Sequence, residues 1–166
     1  MEDYHTPTVH RSSIGLIDCV RVDARGDWDS IFAYGNRTVA VLPEDDVPFP
    51  HIVELDGLPA EGSFFTVVYP ATFFGNTQDC MWWLQTMPFG PDRIRVIMGS
   101  CFPRSTVDSP SFERDAEIYY KRWDKALFED SGISERQQSG FASSYCVPGR
   151  FSSHEPVVHA LDNWVL

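Results

Sequence analysis

The chain has 166 residues, 43% of them hydrophobic and 14% aromatic, which fills the core of one domain and argues against intrinsic disorder. Acidic side chains outnumber basic ones 24 to 13, and the net charge of −11 disfavours nucleic-acid and membrane-surface roles by repelling phosphates. No apolar run approaches the ~20 residues of a membrane span. Cys19, Cys80, Cys101 and Cys146 form no C-x-x-C or C-x-H pair, so no zinc knuckle or cluster-binding loop is expected. The opening MEDYHTPTVH lacks the basic and apolar regions of a secretory signal, and reduced cysteines in a cytoplasmic protein are the expectation.

In chain order, Pro7 is expected to end or kink at Thr6 any helix arriving from the N-terminus. Short strands are predicted at Ile14–Asp23, Ser30–Tyr34 and Arg37–Leu42, punctuated by Gly26-Asp27 and Gly35-Asn36. The proline-rich, acidic Pro43–Gly62 stretch reads as a loop and a candidate lid. Three further strands are predicted at Phe64–Tyr69, Cys80–Met87 and Ile94–Phe102, the last two joined by a Gly90-Pro91-Asp92 hairpin turn. Ser109-Pro110 then signals a helix start, with Ser109 as N-cap. Phe112, Ala116, Tyr119, Trp123 and Leu127 mark one face of a long helix. A short amphipathic end, Glu155–Leu166, presents Val158, Leu161 and Val165. Strands followed by a long helix define an α+β fold, an antiparallel sheet with a helix across it.

Extending the helical stripe from Trp123 and Leu127 reaches Asp130. If the helix ends near Gly132, Asp130 is exposed in its last turn. If it faces the core, its carboxylate needs a cation, a metal or several hydrogen bonds. At the other end of the chain, His5 and His10 flank Pro7. Five residues apart, they do not share a face of an ideal helix, but a break at Pro7 lets His10 return beside His5. Two imidazoles and one carboxylate are the facial donor set of non-haem Fe(II) oxygenases.

The run Glu2-Asp3-Tyr4-His5-Thr6-Pro7-Thr8-Val9-His10 resembles the iron-binding segment of Rieske non-haem iron oxygenases, the large subunit of ring-hydroxylating dioxygenases. Glu129-Asp130, Glu135, Gln138, Gly140, Ser143, Pro148-Gly149-Arg150, Ser152, Glu155 and Trp164 follow the tail pattern of that family in order. Phe89-Gly90-Pro91-Asp92-Arg93 resembles its late hairpin. The resemblance implies a helix-grip (START-like) catalytic domain over residues 1–166, a curved antiparallel sheet wrapped around a long C-terminal helix. It implies mononuclear Fe(II) on His5, His10 and Asp130, with Glu2 as an electron-transfer bridge. It further implies O2 as co-substrate, and electrons from a Rieske [2Fe–2S] cluster fed by a reductase or ferredoxin. That cluster would sit on a domain or partner subunit outside this sequence, which has no C-x-H…C-x-x-H ligands; the chain is therefore expected to be the catalytic part of a larger subunit. A homotrimer is implied for the complete enzyme.

The expected substrate is a small aromatic or a quaternary amine, hydroxylated or demethylated in a pocket drawn from Phe64, Tyr69, Phe73, Phe74, Trp82, Met98 and Phe102. The alternative is a metal-free helix-grip module that binds an apolar small molecule. The convergence of two histidines with an aspartate separates the two readings.

Overall fold

The computed structural model of the protein describes residues 5–15 and 17–166. A single helical turn, α1 (Thr6–Val9), precedes strands β1 (Cys19–Arg25) and β2 (Trp28–Tyr34). After a long loop come the short helix α2 (Leu58–Glu61) and strands β3 (Gly62–Val68), β4 (Thr72–Asn76), β5 (Met81–Pro88) and β6 (Ile94–Cys101). Helices α3 (Arg104–Val107), α4 (Phe112–Phe141) and α5 (Pro156–Val165) complete the chain. The strands form one antiparallel sheet in the order β1-β2-β3-β4-β5-β6, each paired with its neighbour in sequence. The architecture is α+β, an open six-stranded sheet gripping the long helix α4, as in a helix-grip fold.

Strand alternation decides what faces α4. Register aligns Val67, Phe73, Leu84 and Met98 across β3 to β6. The next row on the same face is Phe65, Gly75 and Trp82. Over these rows lies the buried side of α4, Ala116, Tyr119, Arg122, Trp123 and Ala126. Trp123 meets Trp82 at a centroid distance of 5.1 Å. Tyr119 stacks on Phe49, and Phe102 and Phe112 close around that pair. A second cluster of Ile31, Val67 and Tyr69 is covered by Val157 of α5.

Several elements differ from the sequence expectation. Arg37–Leu42 is buried in part but forms no strand. β4 was not anticipated, because its five residues include Gly75 and Asn76, both depleted in strands. The N-cap of α4 is Ser111, since the Ser109 hydroxyl is engaged with Ser111 instead. α4 continues through Gly132 to Phe141. α5 buries Val157 and packs Ala160 and Leu161, whereas Val165 is exposed. The Pro43–Gly62 loop is no lid over the large cavity: none of its residues lines that cavity, and its Phe49 is anchored in the core.

Two glycines serve as seats for tryptophans. Gly75 is directly opposite Trp82 and Gly99 directly opposite Trp83, on the two faces of the sheet. A Cβ added at Gly75 would stand 2.1 Å from the Trp82 ring. Gly75→Ala therefore forces the indole off its seat and is expected to cost about 1–3 kcal/mol by overpacking. Thermal denaturation and near-ultraviolet circular dichroism read this out; an unchanged melt and tryptophan signal would contradict it.

Candidate metal centre and its cavity

The first histidine pair is set by the local chain. His5 is the N-cap and His10 the C-cap of α1, so the two bracket a single helical turn. Pro7 falls in its first turn, where a missing amide proton is harmless, and so opens a helix rather than ending one. The His10 carbonyl accepts hydrogen bonds from the amides of Ser13, Ile14 and Gly15, which turns the chain back sharply, with Gly15 at φ 80°. Lys125 of α4 donates to the Ser12 carbonyl at 2.7 Å and ties this turn to the helix.

Asp130 arrives from α4, four residues beyond the buried Ala126. His5, His10 and Asp130 each offer a ligand atom, and the three atoms lie within 4.8 Å of one another. His10 Nε2 is 2.9 Å and His5 Nε2 3.8 Å from Asp130 Oδ1. The other ring nitrogen of His10, Nδ1, donates to Glu129 Oε2 at 3.0 Å. Glu129 also accepts from the hydroxyls of Ser13 (2.5 Å) and Ser12 (3.3 Å).

Burial alone would depress the pKa of His10, but its hydrogen bonds to Asp130 and Glu129 outweigh this and raise it. Burial likewise opposes ionisation of Glu129, and bonds from Ser13 and His10 overcome it and lower its pKa. The donor set itself is suited to a divalent first-row metal: two imidazoles and one carboxylate on one side, with the remaining positions open. The hydrogen bond from Nδ1 to a carboxylate is the arrangement that orients a metal-binding imidazole.

The open side of the cluster gives onto a cavity of about 810 Å³ between the sheet and α4. His5, His10 and Asp130 lie on its wall with Phe73, Trp82 and Met98. Phe65, Leu84 and Val96 extend that apolar wall. The structure places the other aromatic residues considered for the pocket elsewhere. Phe64 packs on Phe32, and Phe74 shares the same, opposite face of the sheet. Phe102 belongs to the Phe49 cluster and Tyr69 to the α5 cluster. Glu2 lies outside the described residues.

Glu129, Ser13 and Arg122 were not singled out by function from sequence. Arg122 has a visible signal, the i, i+4, i+8 spacing of Arg122, Ala126 and Asp130, which puts all three on one helical face. Arg122 lines the cavity, and burial lowers its pKa to about 10, with Asp130 and Glu129 pulling the other way.

These features define a helix-grip domain with a two-histidine, one-carboxylate cluster at the edge of a largely apolar cavity. The chain belongs to the family of ring-hydroxylating alpha subunits and matches the model of their catalytic domain over residues 1–166. The family is one of oxygenases, oxidoreductases that act on a small molecule with O2 and draw on Rieske-type electron donors. No curated protein sequence matches the chain. Among the described residues, no helix is long and apolar enough to cross a membrane.

Proposed function

We propose that His5, His10 and Asp130 hold mononuclear Fe(II), and that this domain hydroxylates or demethylates a small aromatic or quaternary-amine substrate bound in the adjoining cavity. The observation that carries this reading is the convergence of the three donors within 4.8 Å at the cavity wall. The bound metal supplies the means of activating O2 beside the substrate. The chain's own residues do the rest. Phe73, Trp82, Leu84 and Met98 hold the apolar part of the substrate and exclude water. Glu129 keeps His10 Nδ1 protonated, so that Nε2 faces the donor cluster. A Rieske [2Fe–2S] cluster on another domain or on a neighbouring subunit of a homotrimer would supply the electrons, with Glu2 as the residue that would bridge to it.

Anaerobic loading with Fe(II), desalting and metal analysis test the reading. Wild type is expected to retain about one iron per chain, and His5→Ala and Asp130→Ala to lose it. Retention of no iron by wild type, or of equal iron by the variants, overturns the assignment. The cavity also supports a second reading, a metal-free binding module for an apolar molecule. Ligand binding that is indifferent to the loss of His5 and Asp130, in a chain that retains no iron, would favour it.

A further inference from the structure

Arg122 belongs neither to the donor cluster nor to the apolar wall, although it borders the same cavity and is only 3% exposed. Its Nε donates to the Val39 carbonyl at 3.0 Å, and its guanidinium carbon stands 4.6 Å from the centre of the Trp123 ring. Neither contact neutralises the charge. Among the described residues no carboxylate lies within ion-pairing distance of it. Its two terminal amino groups make no hydrogen bond to them. A guanidinium has five N–H donors, and this one uses a single donor on the described residues. Leaving a buried cation without a counter-ion costs several kcal/mol unless something else meets it.

We propose that Arg122 anchors a carboxylate of the substrate, so that the molecules taken by this cavity are small carboxylic acids. The assignment rests on the cavity being the substrate site. Its geometry orients the ligand. Arg122 precedes Asp130 by eight residues of α4, about 12 Å along the helix axis between their backbones. The carboxylate is held at one end, and the body of the molecule runs along Trp82, Phe73 and Met98 toward the donor cluster. The planar fork of the guanidinium suits a two-point carboxylate contact, and Trp123 beneath it restrains its plane.

The proposal narrows the substrate class. A simple quaternary ammonium ion would face a buried like charge, whereas an aromatic acid, or a quaternary amine that also carries a carboxylate, would not.

Tryptophan fluorescence titration of the metal-free full chain in chelator tests this without any contribution from carboxylate binding to iron. The probes are 4-methoxybenzoate and its neutral isostere 4-methoxybenzamide. Wild type is expected to bind the acid saturably and roughly tenfold more tightly than the amide. Arg122→Met is expected to bring the two affinities within about twofold by weakening the acid alone. Arg122→Lys keeps the charge but loses the fork, and is expected to show an intermediate preference. The proposal is overturned by absent saturable acid binding, by equal wild-type affinities, or by Arg122→Met keeping the preference. Where methionine prevents folding, an Arg122→Lys protein with an undiminished preference has the same consequence. His5→Ala is expected to keep the acid preference while losing iron, so failure of the metal reading and failure of the anion site give different patterns.

Discussion

Glu129→Ala is expected to weaken Fe(II) binding by roughly 10- to 100-fold while leaving all three proposed metal ligands in place. The reason lies in the two nitrogens of one ring. His10 can present Nε2 to the donor cluster in its neutral form only if the proton sits on Nδ1, and Glu129 accepts the hydrogen bond from that nitrogen. Glu129 is itself fixed by the Ser12 and Ser13 hydroxyls, which belong to the turn that follows His10. Removing the carboxylate frees the ring to rotate and removes the preference for the useful tautomer. Glu129→Gln retains an acceptor oxygen without the charge and should fall between wild type and alanine. Competition of the loaded protein against a colorimetric Fe(II) chelator gives the affinities, and a parallel thermal melt of the metal-free chains separates a local effect from a damaged fold. Wild-type affinity in Glu129→Ala would show that His10 needs no such partner.

The helix face carrying Asp130 is legible because apolar spacing continues unbroken from Phe112 to Leu127, so the carboxylate inherits the direction of the stripe. The histidine turn is legible from Pro7, although the proline's role is reversed, opening the turn in which His5 and His10 are the two caps. Arg37–Leu42 shows where local pattern misleads. Its apolar residues are buried as a strand's would be, but side chains satisfy its backbone. Thr38 Oγ1 accepts from the Ala40 amide, Arg122 donates to the Val39 carbonyl and Arg37 donates to the Leu42 carbonyl. No ladder is then required. The pocket illustrates a different difficulty. Phe73 and Phe74 are adjacent in one strand, so only one can face the cavity, and the choice depends on registers set by neighbouring strands. In β3 the same parity gives the cavity Phe65 rather than Phe64. Arg122 is legible only in part. Its spacing from Ala126 and Asp130 marks the helical face, but arginine is a surface residue by composition, and the fold is what shows it buried.

Asp79→Ala is expected to destabilise the domain by about 2–4 kcal/mol, because it strips the acceptor from several buried hydroxyls at once. Asp79 is 0% exposed, in the turn between β4 and β5. One of its oxygens accepts from Thr38 and Thr77, each at 2.7 Å, and the other from Tyr119 at 2.6 Å. Thr77 can turn its one proton to the Cys80 carbonyl instead. Thr38 accepts from the Ala40 amide, so its own proton still depends on Asp79. Tyr119 depends on it as well. It is fully buried in the Phe49 cluster, and both its burial and the bond to Asp79 push its hydroxyl well above the ordinary phenol pKa. Without Asp79 that hydroxyl keeps the Phe49 backbone beside it but loses the acceptor of its proton. A stability loss of this size lowers Tm by roughly 5–15 °C for a chain of this length. Asp79→Asn keeps the shape and one acceptor oxygen and should lose less. The carboxylate also sets the seat of α4 on the sheet, because Arg122 and Trp123 follow Tyr119 by three and four residues on the same side of the helix. The alanine variant is therefore expected to show a weaker acid-over-amide preference at temperatures where it is still folded. A melt within about a degree of wild type would mean that the three hydroxyls find other acceptors and that Asp79 does not fix the helix.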